Sequence, residues 1–329
     1  MTFGATILDA SGPRLSSDEK TFFSEADPFG FILFARNIET PDQVRALTSE
    51  MRDAVGRDAP ILIDQEGGRV QRMRGPIWRE WVPPLDHVAA AGDAAAEAMY
   101  LRSRIMADEL RAVGVDANCA PLVDVAVGET HEFLMNRCYG RDPARVAEIG
   151  RAVADGLLVG GVLPVVKHMP GHGRATVDSH FGLPETGVDL DLLTGTDFAP
   201  FEALNDLPMG MTGHVVYSAL DTRPATLSPV VMGHIRDKIG FDGLIMTDDI
   251  TMKALDAPLD KLARGSLEAG CDVVLLCNAT LEDRRLVSDA AGRMTDAAQA
   301  RAKRAIAARK TPDEVDIPAL EAKLVALTA

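Results

Sequence analysis

Eight short apolar runs, separated by longer amphipathic stretches, constrain this chain more than any other feature. They are Gly4–Leu8, Gly30–Ala35, Pro60–Asp64, Val115–Ala120, Leu163–Lys167, Met209–Thr212, Leu244–Thr247 and Asp272–Leu276. Most are apolar throughout instead of alternating, the pattern of parallel strands covered on both faces. Between them, Ser16–Ala26, Thr40–Val55, Asp93–Val113, Pro143–Gly160, Phe198–Asn205, Ser228–Lys238, Leu259–Ala269 and Leu281–Arg309 read as helices. Ser-Ser-Asp-Glu at the start of the first is an N-cap with an acidic first turn, and Thr40-Pro41 places proline at N1 of the second. Strand and helix alternate along the whole chain without a linker, which predicts an α/β protein. Eight runs favour a closed (β/α)8 TIM-type barrel over an open sheet. The expected organisation is one catalytic domain over residues 1–329, with 311–329 as a C-terminal closing segment.

Composition narrows the functional classes. The chain has 329 residues, 47% hydrophobic and only 5% aromatic, which suits small side chains packed between strands and helices. A net charge of −15 repels phosphate backbones and argues against a nucleic-acid partner. An anionic small ligand would need a local cluster of cations. Cys119, Cys138, Cys271 and Cys277 show no metal-type pairing and read as reduced thiols. The apolar stretch around Gly156–Val166 is too short to span a bilayer, and the first twenty residues lack a basic-then-apolar leader pattern. A cytoplasmic protein without an obligate protein partner is expected.

In a (β/α)8 barrel, chemistry gathers where the strands end at their C-terminal side. Here the third run ends in Asp64-Gln65-Glu66-Gly67-Gly68-Arg69, the fifth in Lys167-His168, the sixth in Thr212-Gly213-His214, the seventh in Thr247-Asp248-Asp249 and the eighth in Cys277-Asn278. Asp124 follows the fourth, whose loop carries Asn136-Arg137. One polar strand end is an ordinary cap; five or more converging on one mouth make an active-site rim. The segment Lys167–His180, KHMPGHGRATVDSH, holds three histidines, a lysine and an aspartate. His168 and His172 have the spacing of a helical metal site, but Pro170, Gly171 and Gly173 oppose a helix there. The alternative is a loop carrying a proton-transfer group. An imidazole titrates near ~6.5, so His180 can give and take a proton at neutral pH, with Asp178 two residues away to orient it. Asp248 and Asp249 sit side by side at a strand end, so only one faces the cavity centre. An ionised carboxylate there can attack an anomeric carbon. Asp249 reads as the capping partner.

At these residues the chain resembles glycoside hydrolase family 3, in its bacterial β-N-acetylhexosaminidase branch of peptidoglycan recycling. The match is carried by KH-x-PGHG-x4-DSH (Lys167 to His180), DQEGGRVQR (Asp64 to Arg72), NR-x2-G (Asn136 to Gly140) and TDDITM (Thr247 to Met252), in order along most of the chain. Gly213-His214-Val215 and Pro224–Ser228 support it. The resemblance implies that Asp248 is the nucleophile of a covalent glycosyl-enzyme and that His180, assisted by Asp178, is the acid/base. It implies sugar contacts from Asp64, Arg72, Arg137, Lys167 and His168. The implied substrate is N-acetylglucosamine β-1,4-linked to 1,6-anhydro-N-acetylmuramic acid, with or without peptide; no cofactor and no metal are implied. A loop-borne acid/base fits a glycine hinge at Gly171 and Gly173. Met169 stands where the family often has Phe, and Met246-Thr247 where it often has Phe-Ser.

Three rival readings stay open on the residues alone. One is a phosphorylase using the same Asp/His machinery, with phosphate in place of water. Another is a metal-dependent barrel hydrolase built on His168, His172 and Asp248. The third is a sugar-binding protein, which would need the rim but no attacking carboxylate.

Overall fold

The computed structural model describes residues 2–175 and 182–329. Eight parallel strands form the barrel: β1 (Gly4–Leu8), β2 (Pro28–Leu33), β3 (Ile61–Ile63), β4 (Ala117–Asn118), β5 (Leu163–Met169), β6 (Met209–Thr212), β7 (Leu244–Met246) and β8 (Val274–Leu276). Each pairs with its neighbours in sequence, and β8 returns to β1 with Thr6 opposite Val274 and Leu8 opposite Leu276. The last seam closes between β7 and β8 through a parallel bridge from Met246 to Val273, where Asp272 N donates to Ile245 O at 2.8 Å. All eight expected runs are strands of this sheet, and the expected barrel is what the chain forms.

Every residue of β1, β2, β3, β5, β6, β7 and β8 is buried, which is why these runs do not alternate. Burying each such Ile, Leu, Val or Phe side chain contributes about 1.5–3 kcal/mol. The helices start where the sequence provides caps. Ser16 accepts from Glu19 N while the Glu19 carboxylate takes Ser16 N–H, a capping box. Thr40, Asp142 and Ser228 cap helices that begin with proline.

The structure departs from the sequence pattern outside the barrel strands. The long helix expected over Leu281–Arg309 is two helices, Leu281–Ala291 and Asp296–Ala307. Gly292 turns at φ +61° and Thr295 supplies a fresh N-cap. The link runs beside β1, where Ala5 N donates to Gly292 O and Met294 N to Phe3 O, both at 2.9 Å. A helix not expected, Pro84–Ala91, fills the excursion after β3. The closing segment contains the helix Ile317–Leu327, capped by Asp316, and packs on helix Ala95–Ala112. Nearby, Arg104 Nε donates to Asp313 at 2.7 Å. No helix among the described residues is long and apolar enough to cross a membrane.

Candidate active site

The strand ends converge on a cavity of about 390 Å³, within the usual size of a small-molecule site. It is lined from β2, β3, β5, β7, β8 and their loops, and it contains Asp64, Arg72, Arg137, Lys167, His168 and Asp248. Six of the residues expected to act on a substrate are thus brought together. The other two, Asp178 and His180, lie outside the described residues.

The β3 end is locked before it can present its carboxylates. Asn118 of β4 accepts from Gln65 N at 3.0 Å and donates to Gln65 O at 2.9 Å. The Gln65 side-chain oxygen then accepts from Arg72 N and Met73 N, folding the following loop back onto the strand. Gly67 has φ +107°, and a Cβ there would lie 1.9 Å from the Arg102 guanidinium, so only glycine fits this turn. Asp64 and Glu66 emerge on either side of Lys167 Nζ, at 2.9 and 2.6 Å. Arg72 pairs with the other Asp64 oxygen at 3.0 Å, and Arg137 grips Glu66 with two bonds of 2.9 and 2.8 Å. Burial pushes the Glu66 carboxyl up, but Arg137 and Lys167 overcome it and bring it down to about 2. Asp64 is likewise held below the ordinary carboxylate range by Lys167 and Arg72 against its burial. Burial also opposes the Lys167 charge, yet Asp64 and Glu66 keep the ammonium above the usual lysine range. The result is a fixed, ionised array of donors and acceptors suited to sugar hydroxyls.

Opposite this array stands Asp248. Its Oδ1 accepts from Asp249 N at 2.8 Å, and Oδ2 faces His168 Nε2 at 4.0 Å. Burial raises this carboxyl; the imidazoles of His168 and His214, the Asp249 amide and Lys167 outweigh it and leave Asp248 below the ordinary range. An ionised, partly exposed carboxylate at this point is chemically able to attack an electrophilic carbon. Its neighbour does something else. Asp249 accepts from Thr251 N, Thr251 Oγ1 and Cys277 N, tying the ends of β7 and β8 together. Burial, the largest influence on it, lifts its carboxyl to about 6. The two aspartates point to different tasks, as their adjacency implied, although Asp249 caps a turn and not a helix.

Asp124 is a site residue that the strand-end pattern placed at the mouth without a role. Its Oδ2 lies 2.7 Å from His168 Nδ1, and its Oδ1 accepts from the backbone N–H of both His168 and His172. That fixes His168 with Nε2 toward the cavity. His172, buried beside His168, has its pKa lowered to about 4 by burial and by that neighbour. Its Nδ1 has no partner among the described residues. Among those residues no three His, Cys, Asp or Glu side chains gather as a metal site.

The expected hinge glycines prove to be anchors. A Cβ on Gly173 would lie 1.8 Å from Val125 O, and one on Gly171 2.7 Å from Asp197 O. Tyr217 donates to Gly171 O and Thr130 to Gly173 O, both at 2.6 Å. These glycines let the segment press against neighbouring backbone up to Ala175. Met169 is fully buried and packs against Gly210.

Sequence reasoning also passed over Glu66, Arg69 and Phe133. Glu66 was legible only as part of a polar strand end; its partners Arg137 and Lys167 lie about seventy and a hundred residues away. Arg69 and Phe133 line the same cavity from loops. Nothing local in the sequence brings them together.

Comparison with known proteins agrees with this geometry. Residues 8–307 match the glycosyl hydrolase family 3 N-terminal domain. A β-hexosaminidase of Methylococcus capsulatus is 42% identical over 278 residues, covering 83% of this chain and 82% of that protein. One from Neisseria gonorrhoeae is 37% identical, covering 84% and 78%. The native NagZ structure from N. gonorrhoeae superposes with a TM-score of 0.85 at 32% identity, covering all of this chain and 96% of that one. The same enzyme in complex with N-trifluoroacetyl-D-glucosamine superposes equally well, at 31% identity over the whole of this chain and 96% of that one. With a cavity of this composition on a barrel of this kind, the chain belongs to glycosyl hydrolase family 3 and is a glycoside hydrolase.

Proposed function

We propose that this protein is a retaining exo-β-N-acetylhexosaminidase that removes a terminal N-acetylglucosamine through a covalent intermediate. The observation that carries it is Asp248: an ionised carboxylate, turned to the cavity and facing a wall of hydroxyl-binding side chains. The β-hexosaminidase relatives and the glucosamine-derivative complex of the gonococcal enzyme support the choice of sugar.

In this mechanism Asp64, Arg72, Arg137, Lys167 and His168 hold the sugar, and Asp248 attacks C1 from below. His180, with Asp178, protonates the departing glycosidic oxygen as that bond breaks. The same imidazole then takes a proton from water, whose oxygen attacks C1 and frees Asp248. Two displacements at one carbon retain the β configuration. The substrate class is N-acetylglucosamine β-1,4-linked to 1,6-anhydro-N-acetylmuramic acid, with or without peptide, met in the cytoplasm. Residues 1–329 act as one catalytic unit without a cofactor, and no protein partner, nucleic acid or membrane takes part.

Proton NMR of the sugar first released from a β-N-acetylglucosaminide tests this directly. The β anomer is expected, at a rate indifferent to phosphate; the α anomer, or sugar 1-phosphate formed only with phosphate present, refutes it. Asp248→Gly should lose turnover and, given azide and an activated aryl substrate, form the α-glycosyl azide.

A further inference from the structure

Charge accounting in the cavity leaves one cation over. Arg72, Arg137 and Lys167 are all committed to Asp64 and Glu66. Arg69 also lines the cavity, yet none of the carboxylates or carbonyls among the described residues lies within reach of its guanidinium. In a chain of net charge −15, a rim arginine left without an acidic partner is conspicuous.

Its backbone is anything but loose. Arg69 occupies the turn Gly67–Val70, in which Gly67 N and Glu66 N both donate to Val70 O. Gly68 N donates to Trp81 O at 2.7 Å, and Arg74 donates to Gly68 O at 2.7 Å, so the turn is pinned on two further sides. The guanidinium itself lies 5.4 Å from the centre of the Phe133 ring, a cation–π contact that leaves its donors unused. Phe133 in turn packs edge-on to His172. With the ring on one side and its N–H edge unpaired among the described residues, this side chain is prepared to donate two hydrogen bonds to a planar anion.

The position says which part of a substrate it would meet. Phe133 belongs to the loop whose His131 N donates to Ala175 O and whose Thr130 donates to Gly173 O. Ala175 is the residue from which the chain runs on toward His180. Under the proposed function, which this inference rests on, the terminal sugar fills the buried array around Lys167 and Glu66, so the part of the substrate that reaches the exposed Arg69 at the rim is the leaving group. We infer that Arg69, held over Phe133 at the cavity rim, binds a carboxylate on the leaving group. The ligand class is an acidic sugar or other carboxylate-bearing alcohol joined to the N-acetylhexosamine. Neutral leaving groups are accepted but not favoured.

The test compares acid with methyl ester in two substrate pairs. One pair is the N-acetylglucosaminyl anhydromuramic disaccharide and its methyl ester; the other is carboxyphenyl β-N-acetylglucosaminide and its methyl ester. Acid and ester differ in leaving-group reactivity, and comparing the acid-to-ester ratio of kcat/KM between variant and wild type cancels that difference. For an exposed ion pair, Arg69→Ala should cut this ratio by about two- to fivefold, through KM and not kcat, and less so at high salt. Arg69→Lys should restore part of it. Equal losses on acid and ester in both pairs, or no loss on either, overturns the inference while leaving hydrolysis intact. If the wild type cleaves the aryl glycosides but neither muramic compound, the proposed substrate is wrong and the aryl pair alone decides the role of Arg69.

Discussion

His168 stands between two carboxylates, its Nδ1 2.7 Å from Asp124 Oδ2 and its Nε2 4.0 Å from Asp248 Oδ2. The first fixes the ring and the second faces it across the cavity, so Asp124 governs which nitrogen is presented to the cavity. Asp124→Asn should therefore lower kcat/KM by roughly ten- to a hundredfold, the scale seen when a partner orienting an imidazole is changed. Asp124→Ala should be worse, because the buried amides of His168 and His172 both lose their acceptor. Each such loss costs about 1–3 kcal/mol of stability. Wild-type kinetics in the Asn variant would remove Asp124 from the positioning role.

His180 is assigned from its motif, and substrates graded by leaving-group acidity test it. His180→Ala should reduce turnover by about 10²–10⁴-fold on alkyl glycosides and far less on nitrophenyl glycosides, whose leaving groups need little protonation. Uniform loss across the series would exclude it as the acid.

The Glu66–Lys167–Arg137 cluster should contribute to the acid limb of stability. Because the fold depresses the Glu66 pKa from 4.5 to about 2, its contribution is complete above about pH 4.5 and is lost as pH falls toward 2. Denaturant midpoints measured from pH 6 down to 2 should fall more steeply for the wild type than for Glu66→Gln. At neutral pH, Glu66→Ala should cost about 3–5 kcal/mol, since it strands the buried Arg137 and leaves Lys167 with Asp64 alone. A variant as stable as the wild type at pH 7 would contradict the cluster.

His214 reaches Asp248 through the backbone of its neighbour. Its Nε2 lies 3.1 Å from Asp249 O, and its Nδ1 2.8 Å from Thr226 Oγ1, which in turn meets Thr212 at 2.9 Å. His214→Ala should lower kcat by about tenfold or more and shift the acid limb of the pH–rate profile upward, because the imidazole helps hold Asp248 below the ordinary carboxylate range. His214→Gln, which can return an amide N–H to the Asp249 carbonyl, should recover part of kcat. An unmoved pH profile would leave His214 a packing residue only.

Much of this was legible in the sequence because it is local. Continuous apolar runs such as Leu163–Lys167 announce buried parallel strands, and polar residues directly after them announce the mouth. Ser16, Thr40 and Ser228 mark helix starts by the same local chemistry. What escaped was set by tertiary packing. Nothing near Glu66 says that Arg137 will clasp it. Gly171 and Gly173 look like a hinge in one dimension, whereas Val125 and Asp197 make them points of close approach in three. Gly292 inside an otherwise helical pattern was the one local signal passed over, and it is there that the last long helix breaks.

The closure of β1 onto β8 has a consequence for synthesis. The first strand leaves the ribosome with one edge complete only when residues 274–276 follow, some 265 positions later. Asp9 at its tip likewise waits for Arg284, its partner at 2.7 Å. The nascent chain therefore carries an open, apolar strand edge through most of translation, and that edge is covered only when the eighth strand emerges.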